Sequence, residues 1–96
     1  MPPLDHPPYA VYVLRSLADG GLYIGFTTDL PRRVREHQED ESPSTAPRRP
    51  FELIYCEYHR SKRDALRRKA YLKTTPGQKA LKLMLRHTLA LPAGEA

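Results

Sequence analysis

The sequence predicts an α+β domain, a three-stranded, mainly antiparallel sheet flanked by helices in the order β-β-α-β-α-α. Three observations predict it. The runs YAVYVLRS and LYIGFT are rich in β-branched and aromatic residues and are separated by LADGG, which carries an Asp-Gly turn pair. A third such run, FELIYCEY, follows further on. Helix-capping residues open the polar, basic stretches after the second and third runs. A sheet with helices packed on it is the natural layered solution for that order.

The first two runs, from Tyr9, read as a hairpin. Thr28 or Asp29 then caps a helix to about Gln38, with Pro31 suited to its first turn. EDESPSTAPRRP, acidic and then rich in Ser and Pro, reads as a loop. After the third strand, Ser61 caps a helix over Lys62 to Thr74. TPGQ reads as an interruption, and a last helix runs over Gly77 to Leu89. Residues 1–8, with four prolines, read as an extended tail, 9–89 as one domain and 90–96 as a frayed end.

Ninety-six residues make one small domain with little spare stability. Lys and Arg number 16 against 11 Asp and Glu, a net charge of +5. That balance favours a polyanionic partner, and a well-solvated surface accounts for it equally. No apolar run approaches the about 20 residues of a membrane span, and the start has no secretory pattern. The single cysteine, Cys56, excludes an internal disulfide, fits a reducing cytoplasm, and lies in an apolar run as an inert thiol would.

With a two-residue Asp19-Gly20 turn, Leu14 falls opposite Gly25, and Tyr12, Leu14, Tyr23 and Gly25 share one sheet face. Gly25 then leaves a shallow gap between two tyrosines. A three-residue turn places the tyrosines on opposite faces. Tyrosine as an ordinary strand residue and glycine as a bulge marker explain the same pattern. Arg33 and His37 stand one helical turn apart. That pair suits either a solvated helix face or a phosphate site, where a guanidinium fork takes two oxygens and a second donor stands beside it.

AVY at 10–12, YIG at 23–25, DLPRRVREH at 29–37, RRPFELIYCE at 48–57 and DALRRKAYLKTTPG at 64–77 resemble the GIY-YIG nuclease superfamily, in particular its small stand-alone bacterial members. The resemblance covers about Tyr9 to Leu85. Ala10 stands where the family's first motif has its glycine. The resemblance implies a domain that hydrolyses DNA phosphodiester bonds with a divalent metal, Mg2+ or Mn2+, in repair or recombination. It implies that Tyr12 activates water, Tyr23 orients it or contacts phosphate, Arg33 neutralises developing charge and His37 supplies a further donor or proton. Gly25 would let the nucleic-acid backbone approach the sheet, and Arg32, Arg68 and Lys69 would contact it.

The family's metal-holding glutamate falls at Lys69, in Ala65-Leu66-Arg67-Arg68-Lys69. A hard dication takes oxygen ligands, and an ammonium cannot serve. Glu57 and Asp64 are the substitute carboxylates, and Asp64, five residues before Lys69, points elsewhere on the helix. Alternatively Lys69 contacts phosphate as a point charge, or it snorkels from a half-buried face. Three functions remain open: a metal-dependent endonuclease, a weakened nucleic-acid-binding domain on the same fold, and a protein-interaction module. A protein partner would supply specificity to so small a chain.

Overall fold

The computed structural model describes residues 6–39 and 49–92. Strands β1 (Tyr9–Ser16), β2 (Leu22–Thr27) and β3 (Phe51–His59) form one antiparallel sheet of order β2-β1-β3. Helix α1 (Leu30–Gln38) follows the hairpin. Helices α2 (Lys62–Leu72), α3 (Thr75–Met84) and the five-residue α4 (Arg86–Ala90) follow β3. The α+β class and the element order are those the sequence predicts, with α4 added. Most of the loop expected over 39–50 lies outside the described residues, as do 1–5 and 93–96 of the expected tails.

The central strand is buried on both sides, and its alternation makes two cores. Val11 and Val13 pack with Ile24, Ala65, Leu72, Leu81 and Leu85 under α2 and α3. Ala10, Tyr12 and Leu14 pack with Leu30 and Phe51 under α1. The sheet thus separates α1 from α2 and α3, and this decides which side chains can meet.

The turn is longer than expected. Tyr12 pairs with Gly25 and Leu14 with Tyr23, not Leu14 with Gly25. Ser16 and Gly21 close the loop: the Ser16 N–H donates to Gly21 O at 2.8 Å, and Gly20, at φ 76°, donates to Ser16 O at 2.8 Å. Asp19 Oδ1 accepts from Gly21 N at 2.7 Å. Leu17 and Ala18 belong to the turn because Ser16 Oγ takes the N–H groups of Ala18 and Asp19, each at 3.2 Å. The slip is two residues, so the face of every side chain is preserved and both tyrosines still point to α1.

Two more boundaries differ. The helix from Lys62 ends at Leu72, two residues early. Thr75, Pro76 and Gly77 form the first turn of α3, where proline's missing N–H is harmless, and Thr74 Oγ1 caps it by accepting from Gly77 N at 3.1 Å. The last helical stretch divides at Leu85, whose φ of −103° and ψ of 21° leave the helix.

Strand β3 carries a bulge that the sequence did not announce. Val13 pairs with Tyr55 and Leu14 with Leu53, so Ile54 is extra. Ile54 joins Tyr55 against the α2 core, and the change of phase turns Phe51 towards α1. Gln38, the last residue of α1, grips that end of β3. Its Nε2 donates to Phe51 O, and its Oε1 accepts from Phe51 N at 3.1 Å. Bulge and clamp together fix α1 over the tyrosine face.

Candidate nucleic-acid site

Helix α1 positions the site. Asp29 caps it, Oδ1 accepting from Arg32 N at 3.3 Å, and Pro31 occupies its first turn. Leu30 and His37 are its buried residues, on one stripe about two helical turns apart. His37 is fully buried, and its Nε2 lies 2.9 Å from the Tyr12 hydroxyl. The Tyr23 ring meets His37 edge-on at 4.9 Å between centroids and lies 6.3 Å from the Tyr12 ring. Phe51, delivered by the bulge, closes the far side at 6.1 Å.

Burial sets the protonation states. It pushes the Tyr12 hydroxyl up to about 12, helped by Tyr23 and opposed by the Arg33 guanidinium. Burial also lowers His37, and Arg33 lowers it further against the pull of Glu36. At neutral pH the pair is therefore a neutral phenol beside a neutral imidazole, and a hydrogen bond between them leaves no buried charge.

Arg33 stands at the half-exposed edge of this cluster. Its Nη1 donates to Glu36 Oε1 at 3.0 Å, and that bond raises its affinity for the proton. Arg32 is exposed, with Nε 3.3 Å from Glu36 Oε2. Glu36, held mainly by Arg33, lies below the usual carboxylate range. The structure thus brings together Tyr12, Tyr23, Arg33 and His37, with Arg32 at the rim.

Gly25 has a different part from the expected one. A Cβ there would lie 2.3 Å from both Cζ and the hydroxyl of Tyr12. The gap is real, and the Tyr12 ring fills it, so it does not admit a nucleic-acid backbone. Glycine is required because Tyr12 lies flat across its partner strand to reach His37.

The remaining expected residues lie elsewhere. Glu57 pairs with Val11 and so faces α2, on the side of the sheet away from Tyr12. It accepts from Tyr55 at 2.9 Å and from Arg68 Nε at 3.1 Å, and lies 2.6 Å from His59 Nε2. Burial pushes its carboxyl up, but these three partners together hold it low. Arg68, expected at the nucleic acid, is committed to this cluster and lies over the Tyr71 ring at 5.8 Å. Lys69 is half-buried on α2, whose Ala65 and Leu72 pack on the core opposite Tyr12, and it makes no ion pair among the described residues. Asp64 is exposed in the first turn of α2.

These carboxylates do not fit a dication at the tyrosine face. Glu36 is flanked by two arginines, Glu57 is on the other face with three partners, and position 69 offers an ammonium. No group of three His, Cys, Asp or Glu able to hold a metal occurs among the described residues. The basic runs do not line one cleft either. Those of α1 and α2 lie on opposite sides of the sheet, and of APRRP only Arg49 and Pro50 are described. Among the described residues, no helix is long and apolar enough to cross a membrane.

Sequence reasoning missed Phe51 and Gln38 as members of the site's frame. Gln38 carried a signal, a polar side chain at the end of a helix whose terminal groups need partners. The bulge at Ile54 carried none.

Comparisons with known proteins show the family and the fold. The family model described as GIY-YIG catalytic domain matches residues 8–82, which hold the whole tyrosine, arginine and histidine cluster. UPF0213 proteins of Staphylococcus aureus strains Mu3 and N315 are each 37% identical over 75 residues, covering 77% of this chain and 90% of theirs. The solution NMR structure of a UPF0213 protein from Bacillus halodurans superposes with a TM-score of 0.52 at 27% identity, covering 92% of this chain and 98% of that one. The chain belongs to the GIY-YIG catalytic domain family and is similar throughout its folded length to the small UPF0213 proteins of bacteria.

Proposed function

We propose that this domain binds DNA at the face of Tyr12, Tyr23, Arg33 and His37, and that it is a weakened member of its nuclease family, holding a phosphodiester without cutting it efficiently. The observation that carries this reading is the assembled cluster whose one neighbouring carboxylate among the described residues, Glu36, is already paired with Arg32 and Arg33. Arg33, half exposed above a neutral Tyr12–His37 pair, is placed to offer a fork to phosphate oxygens once it releases Glu36. His37, neutral and bonded to Tyr12, is the group able to accept the phenolic proton. A phenol whose pKa is about 12 is a poor base by itself. A bound divalent ion would supply charge stabilisation and an activated water in this family. Among the described residues, the donor set lacks a group of oxygen ligands to hold one.

A second reading, an efficient Mg2+- or Mn2+-dependent endonuclease, is favoured by the retention of all four cluster residues. In either reading the setting is cytoplasmic DNA repair or recombination, with a protein partner that supplies specificity. The test is a nicking assay on duplex and branched DNA with and without Mg2+, beside a salt titration of binding. Salt-sensitive binding with little cleavage supports the first reading, because phosphate contacts release counterions. Brisk Mg2+-dependent cleavage establishes the second. Affinity unchanged between low and physiological salt removes both.

A further inference from the structure

Tyr58 stands opposite Ala10, two places along from the Tyr12–Cys56 pair, and so shares the sheet face of Tyr12. It packs against that core and remains partly exposed. The ring of His6 lies on it, with centroids 4.0 Å apart and planes inclined by 21°. His6 is itself exposed, and its Nδ1 donates to the neighbouring Pro7 carbonyl at 2.7 Å. The open side of Tyr58 therefore already accepts a small, flat heteroaromatic ring.

We propose that this side of Tyr58 is a stacking site for an unpaired nucleobase, filled by His6 in the free chain and taken over by the base when nucleic acid binds. The inference rests on the proposed DNA-binding reading and adds the structure of the DNA that the site selects. Tyr58 and Tyr12 are diagonal neighbours on adjacent strands, about 7–8 Å apart, so the platform lies beside the tyrosine and arginine cluster. A base inside an intact duplex is already stacked and cannot lie on Tyr58. A base in a bulge, gap or flap can, at little cost. Every base has a π-face, so the site reads unpairing rather than sequence. An imidazole presents less stacking area than a purine or pyrimidine and is held at an exposed position, so a base can displace it.

The test compares the full chain on a duplex and on the same duplex with one bulged 2-aminopurine, by anisotropy at low salt and by 2-aminopurine fluorescence. The parent should prefer the bulged DNA and quench its fluorescence. Tyr58→Leu should lose roughly five-fold or more on bulged DNA, lose the quenching and keep its duplex affinity. Tyr58→Phe should behave as the parent, and His6→Ala should bind bulged DNA more tightly with duplex binding unchanged. Equal parental affinity for the two DNAs, or a preference that survives Tyr58→Leu, overturns the site while leaving salt-sensitive duplex binding intact. Loss of salt-sensitive binding altogether overturns the DNA reading instead. Should Tyr58→Leu fail to fold, His6→Ala decides, and an unchanged affinity for bulged DNA overturns the proposal.

Discussion

The Tyr12 hydroxyl and His37 Nε2 lie 2.9 Å apart, joining the central strand to α1 inside a region where both side chains are almost wholly buried. Tyr12→Phe keeps the ring and removes the hydroxyl that bonds to Nε2. Truncating one side of a buried hydrogen bond costs about 1–3 kcal/mol. For a domain of this size the melting temperature should fall by at least about 4 °C. A melt within a degree of the parent would show that the bond adds nothing to stability.

The same pair gives the protein a pH dependence. Burial holds the folded His37 below its usual value of 6.5. Its neutral form is the folded one, so its share of stability is complete above about pH 6.5. That share is lost as pH falls from there towards the folded value, because the unfolded chain takes the proton first. Glu36 and Glu57, both held below their usual 4.5, titrate beneath this window. Denaturant unfolding at pH 7.5, 6.0 and 5.0 should show the parent weakening faster than His37→Gln. Parallel losses in the two proteins would remove His37 as the cause.

Gly25→Ala tests why the second motif ends in glycine. The added methyl would lie 2.3 Å from the Tyr12 hydroxyl, far inside contact distance, and the ring must swing away. The Tyr12–His37 bond is then lost together with the packing. The variant should lose more stability than Tyr12→Phe, which gives up the bond alone. A destabilisation smaller than that of Tyr12→Phe would mean that the ring has another place to go.

The sequence made the shared face of the tyrosines legible because strand alternation survives a two-residue error in the turn. Arg33 and His37 were legible because one helical turn separates them. The role of Gly25 was not, since the same missing side chain serves a ligand or a neighbouring ring, and only the register says which. The place of Glu57 depended on which face Val11 occupies, a choice that periodicity leaves open. The bulge at Ile54 was illegible because one apolar residue in an apolar strand reads alike in either phase.

Arg33 and Arg32 are adjacent and differ in burial, side-chain exposure being 32% against 68%. Arg33 edges the tyrosine face and Arg32 points to solvent, though both reach Glu36. Lysine cannot offer two parallel donors to a phosphate. Arg33→Lys should lower any cleavage by about 10²–10³, the scale of one lost charge-stabilising donor. It should also weaken DNA binding at fixed salt. Arg32→Lys should change either by little. Equal effects would show that charge alone matters and that no fork is formed.

Lys69 is the departure that separates this chain from what its family resemblance implies. An ammonium at that position repels a dication and supplies no lone pair, and the nearest alternatives are already paired. Millimolar Mg2+ should therefore leave the melting temperature of the parent unchanged, since an ion that finds no folded-state site cannot stabilise it. Lys69→Glu removes the repulsion and supplies an oxygen ligand at the position the resemblance assigns to the metal. Glutamate suits a helix interior as well as lysine, so α2 should persist. The α2 helix packs on the face opposite Tyr12, so this oxygen lies away from the tyrosine cluster and the variant should nick DNA no faster than the parent in Mg2+ or Mn2+. A gain in nicking would show that position 69 reaches the tyrosine site. If the parent already cuts briskly with Mg2+ and Lys69→Glu adds nothing, the ligand is another carboxylate.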